Sequence, residues 1–256
     1  MTRIVRFDDD GRPRWGRAYG DGEVQVLSEA PWAGGVPVGR TLGLAGLRLL
    51  APCEPTKVIC AGRNYAAHAR ELGNELPREP LIFIKPPSSV IGPEEAIRLP
   101  PQSADVQHEA ELAIVIGKRC RGIAEGEVPA HVAGFTCLND VTARDIQRAE
   151  THLTRSKSFD TFCPIGPWIV EGWDVEPRAV CCRVEGEMRQ DGNTRAMIFG
   201  PAALVAFVAS VMTLEPGDVI ATGTPAGVGR IEAGQRVEVE IERLGTLSNP
   251  VIAEGR

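Results

Sequence analysis

The chain has 256 residues, 43% of them hydrophobic and 24% charged, which suits a soluble globular protein with one sizeable core and a small appendage. A net charge of -6 and the lack of a long basic cluster exclude nucleic acid and anionic membrane as natural partners and leave small molecules. No stretch approaches the ~18 apolar residues of a membrane span, no signal-type apolar region follows Met1, and the seven cysteines form no C-x-x-C pair, so a cytoplasmic protein with reduced thiols is expected.

Residues 4–7, 15–18 and 23–27 read as short strands separated by the turn signals Asp10-Gly11 and Gly20-Asp21-Gly22. Leu42 to Leu50 can pack this piece onto the body, and Pro52 and Pro55 punctuate a boundary. A small β-rich N-terminal unit over residues 1–52 is therefore expected ahead of a main domain over residues 53–256. The main domain opens on a buried strand, Lys57 to Cys60. Asn64 then suits the N-cap of a helix from Tyr65 to Leu72, which Gly73 ends. His68 and Glu71 are three apart and share a face of that helix. The pair suits a general base oriented by a carboxylate, with a surface ion pair as the alternative. The polar, broken stretch from Gly73 to Pro80 reads as a loop over a site. Leu81 to Pro87 is another strand, with Lys85 near its end.

The most informative stretch runs from His108 to Gly117, opening with Glu109 and Glu111 and then turning wholly apolar. Side chains alternate along a strand, so Glu109 and Glu111 share a face with Ala113 and Val115, while Ala110, Leu112, Ile114 and Ile116 cover the other. Both faces thus look buried. Two like charges roughly 7 Å apart in such a place need a cation between them, a pair of acids on a solvated strand face being the alternative. The run from Val237 to Glu242 is an internal control: its acids alternate with apolar residues to the end, the pattern of a strand with one wet face.

Val132 to Asn139 is a further apolar strand and delivers Asp140 at its terminus. Three acids with no His or Cys at ligand spacing favour Mg2+, Mn2+ or Ca2+ over zinc. Thr142 to His152 reads as a helix bearing Arg144, Asp145, Gln147 and Arg148. Arg144 and Lys157 suit substrate carboxylates, a solvated basic face being the alternative. Cys163 is the one cysteine considered as a nucleophile, and with no His nearby in sequence it reads as structural. Arg178 to Glu187 and Gly192-Asn193 mark strands and a turn, and Pro201 to Met212 an apolar helix. The strand Val219 to Thr222 feeds Gly223-Thr224-Pro225-Ala226-Gly227-Val228-Gly229. That loop reads either as a carboxylate cradle of backbone N–H groups and the Thr224 hydroxyl, or as a plain tight turn.

Taken together, Gly62-Arg63-Asn64-Tyr65 with His68 and Glu71, Phe83-Ile84-Lys85-Pro86, Glu109-Ala110-Glu111-Leu112, Asp140 to Asp145, Lys157-Ser158-Phe159 and Thr222 to Gly229 resemble the fumarylacetoacetate hydrolase family over residues 57–247. The resemblance implies a β-rich α+β fold, the family's mixed β-sandwich roll, usually assembled as a homodimer. It implies Mg2+ or Mn2+, with Ca2+ as a substitute, on Glu109, Glu111 and Asp140, and a catalytic dyad of His68 and Glu71. Lys157 is implied beside the substrate, with Arg144, Gln147, Thr224, Gly223 and Lys85 as further contacts. The short appendage is unlike the large N-terminal domain of enzymes that cleave fumarylacetoacetate itself. The dyad, Lys157 and the segment Lys157 to Pro164 resemble the branch that hydrolyses acylpyruvates or decarboxylates or tautomerises oxaloacetate. The alternatives are a 2-hydroxyhepta-2,4-diene-1,7-dioate isomerase or 5-oxopent-3-ene-1,2,5-tricarboxylate decarboxylase with the same metal site, and a non-catalytic metal-binding protein.

Overall fold

Short apolar segments punctuated by glycine and proline leave little room for long helices, and the computed structural model of the protein is accordingly β-rich with few helices. It describes residues 1–20, 22–71 and 75–255, with the side chains of His68 and Ala69 outside the described set.

The largest sheet has eleven strands. From one edge it runs Pro37–Gly43, Glu23–Leu27, Arg12–Tyr19, Thr2–Asp9, Cys163–Glu171, Val132–Asn139, Ala110–Ile116, Val219–Ala221, Val58–Gly62 and Leu81–Lys85, with Val90–Ile91 paired off this path to Cys163–Glu171. A five-stranded sheet runs Glu187–Asn193, Ala179–Val184, Arg236–Ile241, Gly245–Ala253 and Ile97–Leu99. Leu112, Ile114, Phe135 and Cys137 of the large sheet interdigitate with Val180, Cys182, Val239, Ile241 and Leu247 of the smaller one, which makes the sandwich core. The helix Pro201–Val211 covers the same core with Leu204, Val205, Val208 and Ala209, one face at helical spacing. A three-stranded sheet of Thr142–Ala143, Val106–His108 and Gly229–Arg230 closes one end.

The four N-terminal strands extend the large sheet, Arg3 standing opposite Val170. They also hold an apolar cluster of their own, with Val5, Phe7, Ala18, Val24 and Val26 packed against Leu42, Leu44, Leu47 and Leu49. Arg17 ties this piece to the body through a two-pronged ion pair with Glu171, at 2.9 and 2.7 Å.

Three local expectations are corrected. Among the described contacts the Asn64 side chain caps no helix: its amide donates to the Phe199 and Thr222 carbonyls at 2.9 and 2.7 Å and accepts from the Phe199 N–H at 2.8 Å. The side chain is spent on joining distant segments, and the helix runs Ala66–Glu71. Thr142 and Ala143 form a strand with Val106–His108, so the following helix starts at Arg144; it ends at Ala149, short of the expected His152. Gly192 and Asn193 belong to a strand, while the turn falls at Glu185 and Gly186, both at positive φ. Among the described residues no helix is long and apolar enough to cross a membrane.

Candidate metal centre and active site

The strand Ala110–Ile116 is buried along its whole length, and its faces divide as the alternation requires. Ala113 and Val115 join one apolar cluster, and Ala110, Leu112, Ile114 and Ile116 the other. Arg236–Ile241 instead alternates half-buried and buried positions, with Glu238 and Glu240 on its wetter side.

Antiparallel pairing sets Ala110 opposite Asn139, so Asp140 arrives beside Glu109. The Asp140 amide donates to the Glu109 carbonyl, and the Glu109 amide to the Asn139 side chain, each at 2.9 Å. Glu109, Glu111 and Asp140 are 4%, 2% and 1% exposed, and one oxygen from each lies within 4.8 Å of the others. Such a group cannot be a solvated acidic face.

Three buried cations surround it. Lys157 donates to Glu109 and Asp140 at 2.8 and 2.6 Å. Lys85 donates to Asp140 at 2.5 Å and to the Val141 carbonyl at 3.1 Å. Arg144 donates to Glu109, to Gln147 and, at 2.9 Å, to Gln107. Burial alone would lower the Lys157 ammonium, yet the charges of Asp140 and Glu109 hold it above its usual range, so it stays protonated. Burial, followed by the charges of Asp140 and Glu109, pushes the Glu111 carboxyl well above the ordinary range.

Glu111 accepts from the Gly223 amide at 2.7 Å. Gly223 sits at φ +91°, and a Cβ there would lie 2.8 Å from Asn64 Cβ, so the backbone approaches this close because the residue is glycine. Thr224 donates its hydroxyl proton to the Ala110 carbonyl at 2.8 Å. The donors of the loop after Val219–Ala221 therefore face the acidic strand.

A cavity of about 490 Å3 opens over the carboxylates. Arg144, Gln147, Lys157 and Thr224 line it, as do Arg63 and Phe83, whose ring lies 5.1 Å beneath the Lys157 ammonium. Lys85 and Gly223 stand behind its wall, bound to Asp140 and Glu111. Glu71, on the helix Ala66–Glu71, accepts from the Gly227 amide at 3.1 Å. The His68 side chain and residues 72–74, including the expected helix stop at Gly73, lie outside the described residues. Cys163 is fully buried with its thiol pushed up to about 12, which suits a structural residue.

Two residues at the site escaped the sequence reading. Arg63, held at φ +57°, lines the cavity from the segment before the helix Ala66–Glu71. Gln190, fully buried on a strand of the other sheet, hydrogen-bonds both the acidic strand and the glycine-rich loop. A cue existed for Arg63 in its place within Gly62-Arg63-Asn64-Tyr65, and none existed for Gln190.

Three converging buried carboxylates form a hard, all-oxygen donor set, and a divalent cation among them would offset the burial and the mutual repulsion that raise Glu111. The residues present fit such an ion. Residues 57–252 match the family described as fumarylacetoacetate (FAA) hydrolase C-terminal, and residues 2–52 the family described as Rv2993c-like, N-terminal. The chain belongs to the fumarylacetoacetate hydrolase family. Members of this family are hydrolases, isomerases and decarboxylases, and the chain is an enzyme; the family generally uses a divalent metal. Human mitochondrial oxaloacetate tautomerase FAHD2A is 46% identical over 216 residues, 79% of this chain and 69% of that protein. The crystal structure of 2-hydroxyhepta-2,4-diene-1,7-dioate isomerase from Mycobacterium marinum superposes with a TM-score of 0.92 at 39% identity, covering 100% of both chains. Maleylpyruvate hydrolase from Sphingobium sp. SYK-6, solved with manganese(II) and pyruvate, superposes with a TM-score of 0.79 at 32% identity over 99% of this chain and 100% of that one.

Proposed function

We propose that this fumarylacetoacetate hydrolase family enzyme binds one Mg2+ or Mn2+ on Glu109, Glu111 and Asp140 and acts on small 2-oxo acids. The observation that carries the reading is the convergence of three buried carboxylates, within 4.8 Å of one another, on the floor of a cavity lined by Arg144, Gln147 and Lys157. When bound, the cation supplies Lewis acidity to the carboxylate and adjacent carbonyl of a 2-oxo acid and offsets the charge of its enolate. Charge matching supports this substrate class. The three carboxylates already face Lys85, Lys157 and Arg144, so a divalent ion leaves a net positive site that a dianion neutralises. Oxaloacetate and the enolate form of an acylpyruvate are both dianions.

The chain's own groups then take the following roles. Lys157, protonated and only 2% exposed, offsets negative charge developing on the substrate. Gln147 accepts from Arg144 and so keeps its amide N–H groups for a substrate oxygen. Arg144 uses three of its donors on Glu109, Gln107 and Gln147 and retains others for a carboxylate. Thr224 keeps a lone pair to accept from a substrate hydroxyl. Gly223 and Lys85 act from behind, holding Glu111 and Asp140. His68, with Glu71 as its orienting carboxylate, moves the proton or activates water.

Oxaloacetate keto–enol tautomerisation is the leading reaction, supported by the named activity of the human relative at 46% identity. Acylpyruvate hydrolysis and oxaloacetate decarboxylation use the same enolate chemistry. Isomerisation of 2-hydroxyhepta-2,4-diene-1,7-dioate is a second reading, favoured by the full-length match to the mycobacterial isomerase. We further propose a cytoplasmic homodimer whose chain divides into residues 1–52 and 53–256. The test is a panel of oxaloacetate, acetylpyruvate and the heptadienedioate, each with Mg2+ and with chelator. Mg2+-dependent loss of enol-oxaloacetate faster than buffer is expected. Turnover of the heptadienedioate alone would favour the second reading, and equal rates with chelator would refute the metal-dependent one.

A further inference from the structure

We infer that Gln190 is a positioning residue for the carboxylate cluster, setting the separation of Glu109 and Glu111 through the peptide groups of the residue between them. The inference rests on the metal reading above.

Backbone pairing on one side of the acidic strand stops short of its two glutamates. The last backbone bond there runs from the Thr222 amide to the Leu112 carbonyl at 3.0 Å, after which the glycine-rich loop turns away. Ala110, between the glutamates, is thus left with an N–H and a C=O pointing at that gap. An unpaired buried peptide group is costly, so side chains must take over. The Ala110 N–H donates to Gln190 Oε1 at 3.0 Å, and the Ala110 carbonyl accepts from Thr224 Oγ1 at 2.8 Å. Gln190 Nε2 closes the circuit by donating to Thr224 Oγ1 at 2.7 Å and to the Pro225 carbonyl at 2.8 Å.

This closed ring fixes every proton in it. Thr224 has a single hydroxyl proton, which the Ala110 carbonyl takes, so the hydroxyl oxygen accepts from Gln190. That sets the Gln190 amide with its nitrogen toward the loop and its oxygen toward the acidic strand. The oxygen faces His108 Nδ1 at 3.0 Å, so Nδ1 carries the proton in this network. Gln190 is fully buried and belongs to Glu187–Asn193, at the edge of the other sheet. A side chain from the second sheet therefore spans the sandwich to finish the ladder that the first leaves incomplete at its two acids. No other residue type of this length offers two amide donors and a carbonyl acceptor in one plane. Glutamate has the shape without the donors, and methionine has neither.

The test uses the full-length chain with Mn2+ alone as probe. Gln190→Glu, Gln190→Met and Thr224→Val are titrated by calorimetry, with circular dichroism to confirm the fold and the paramagnetic resonance of bound Mn2+ to read its coordination. Folded variants are expected to bind Mn2+ at least tenfold more weakly than the parent, with a changed Mn2+ spectrum. Thr224→Val removes only the relay hydroxyl and carries the same expectation if the Gln190 variants do not fold. Affinity within twofold of the parent and an unchanged spectrum, in variants that merely melt earlier, would make Gln190 a packing residue and overturn the inference. A parent that binds no Mn2+ would overturn the metal reading and this inference with it, whereas a binding parent with equally binding variants overturns the inference alone.

Discussion

At the scale of single residues, the proposed roles separate groups that create charge complementarity from groups that move protons. Glu109, Glu111 and Asp140 are buried and surrounded by Lys85, Lys157 and Arg144, while among the described contacts the helix bearing His68 and Glu71 meets the glycine-rich loop where Glu71 accepts from the Gly227 amide. Cation binding needs the carboxylates alone, while C–C hydrolysis needs a base as well. His68→Ala is therefore expected to retain Mn2+ affinity and lose acylpyruvate hydrolysis by ~10² or more. Oxaloacetate keto–enol exchange should fall less, because bulk water can exchange the proton. Parallel assays on acetylpyruvate and oxaloacetate check this, and equal losses on both would remove the division of labour. The acid cluster was legible in sequence because alternation broke after Glu111, against the control of Val237 to Glu242. Gln190 was not legible. Its partners His108, Ala110, Thr224 and Pro225 lie 82, 80, 34 and 35 residues away, and one glutamine in a half-exposed strand carries no periodic signal.

At the scale of elements, the short helix Arg144–Ala149 is what aims Arg144 and Gln147, and six residues cannot hold a helix without help. The help comes from Asp145 in its first turn, which accepts from the Ser103 hydroxyl at 2.6 Å and from the Ala104 and Ile146 amides at 2.8 and 2.9 Å. Burial pulls the Asp145 carboxyl upward, but these hydrogen bonds together hold it below 3.8. A depressed folded value means that the stabilisation is present above the ordinary value and is lost as pH falls through the folded one. Asp145→Asn should cost about 1 kcal/mol at pH 7, with the parent–variant difference shrinking as the medium is acidified below 3.8. Urea titrations at several pH values check the trend, and a difference that grows in acid would contradict it. Sequence patterning started this helix at Thr142 instead of Arg144 because pairing of Thr142–Ala143 with Val106–His108 is a tertiary choice. It misread Asn64 for the same reason: an N-cap is local, and the clamp on Phe199 and Thr222 is not.

At the scale of the whole molecule, two sheets meet across one core and the site opens where the strands Ala110–Ile116, Val132–Asn139 and Val219–Ala221 run out. Individual strands were legible from apolar runs and turn signals and the sandwich fold from the family resemblance, while the pairing of distant strands was not legible. The large sheet ends on Leu81–Lys85, a terminal strand with Leu81 and Ile84 exposed, the kind of edge that proteins cover. Sedimentation is expected to give a species of twice the 27.5 kDa chain mass, and a monomer at micromolar concentration would rule out the proposed dimer. The central claim is that one divalent cation sits on Glu109, Glu111 and Asp140, and calorimetric titration of Mn2+ into the parent and Glu111→Gln tests it most directly. One ion per parent chain and a loss of affinity of at least ~100-fold in the variant are expected. Equal affinity and stoichiometry in the two proteins would contradict it.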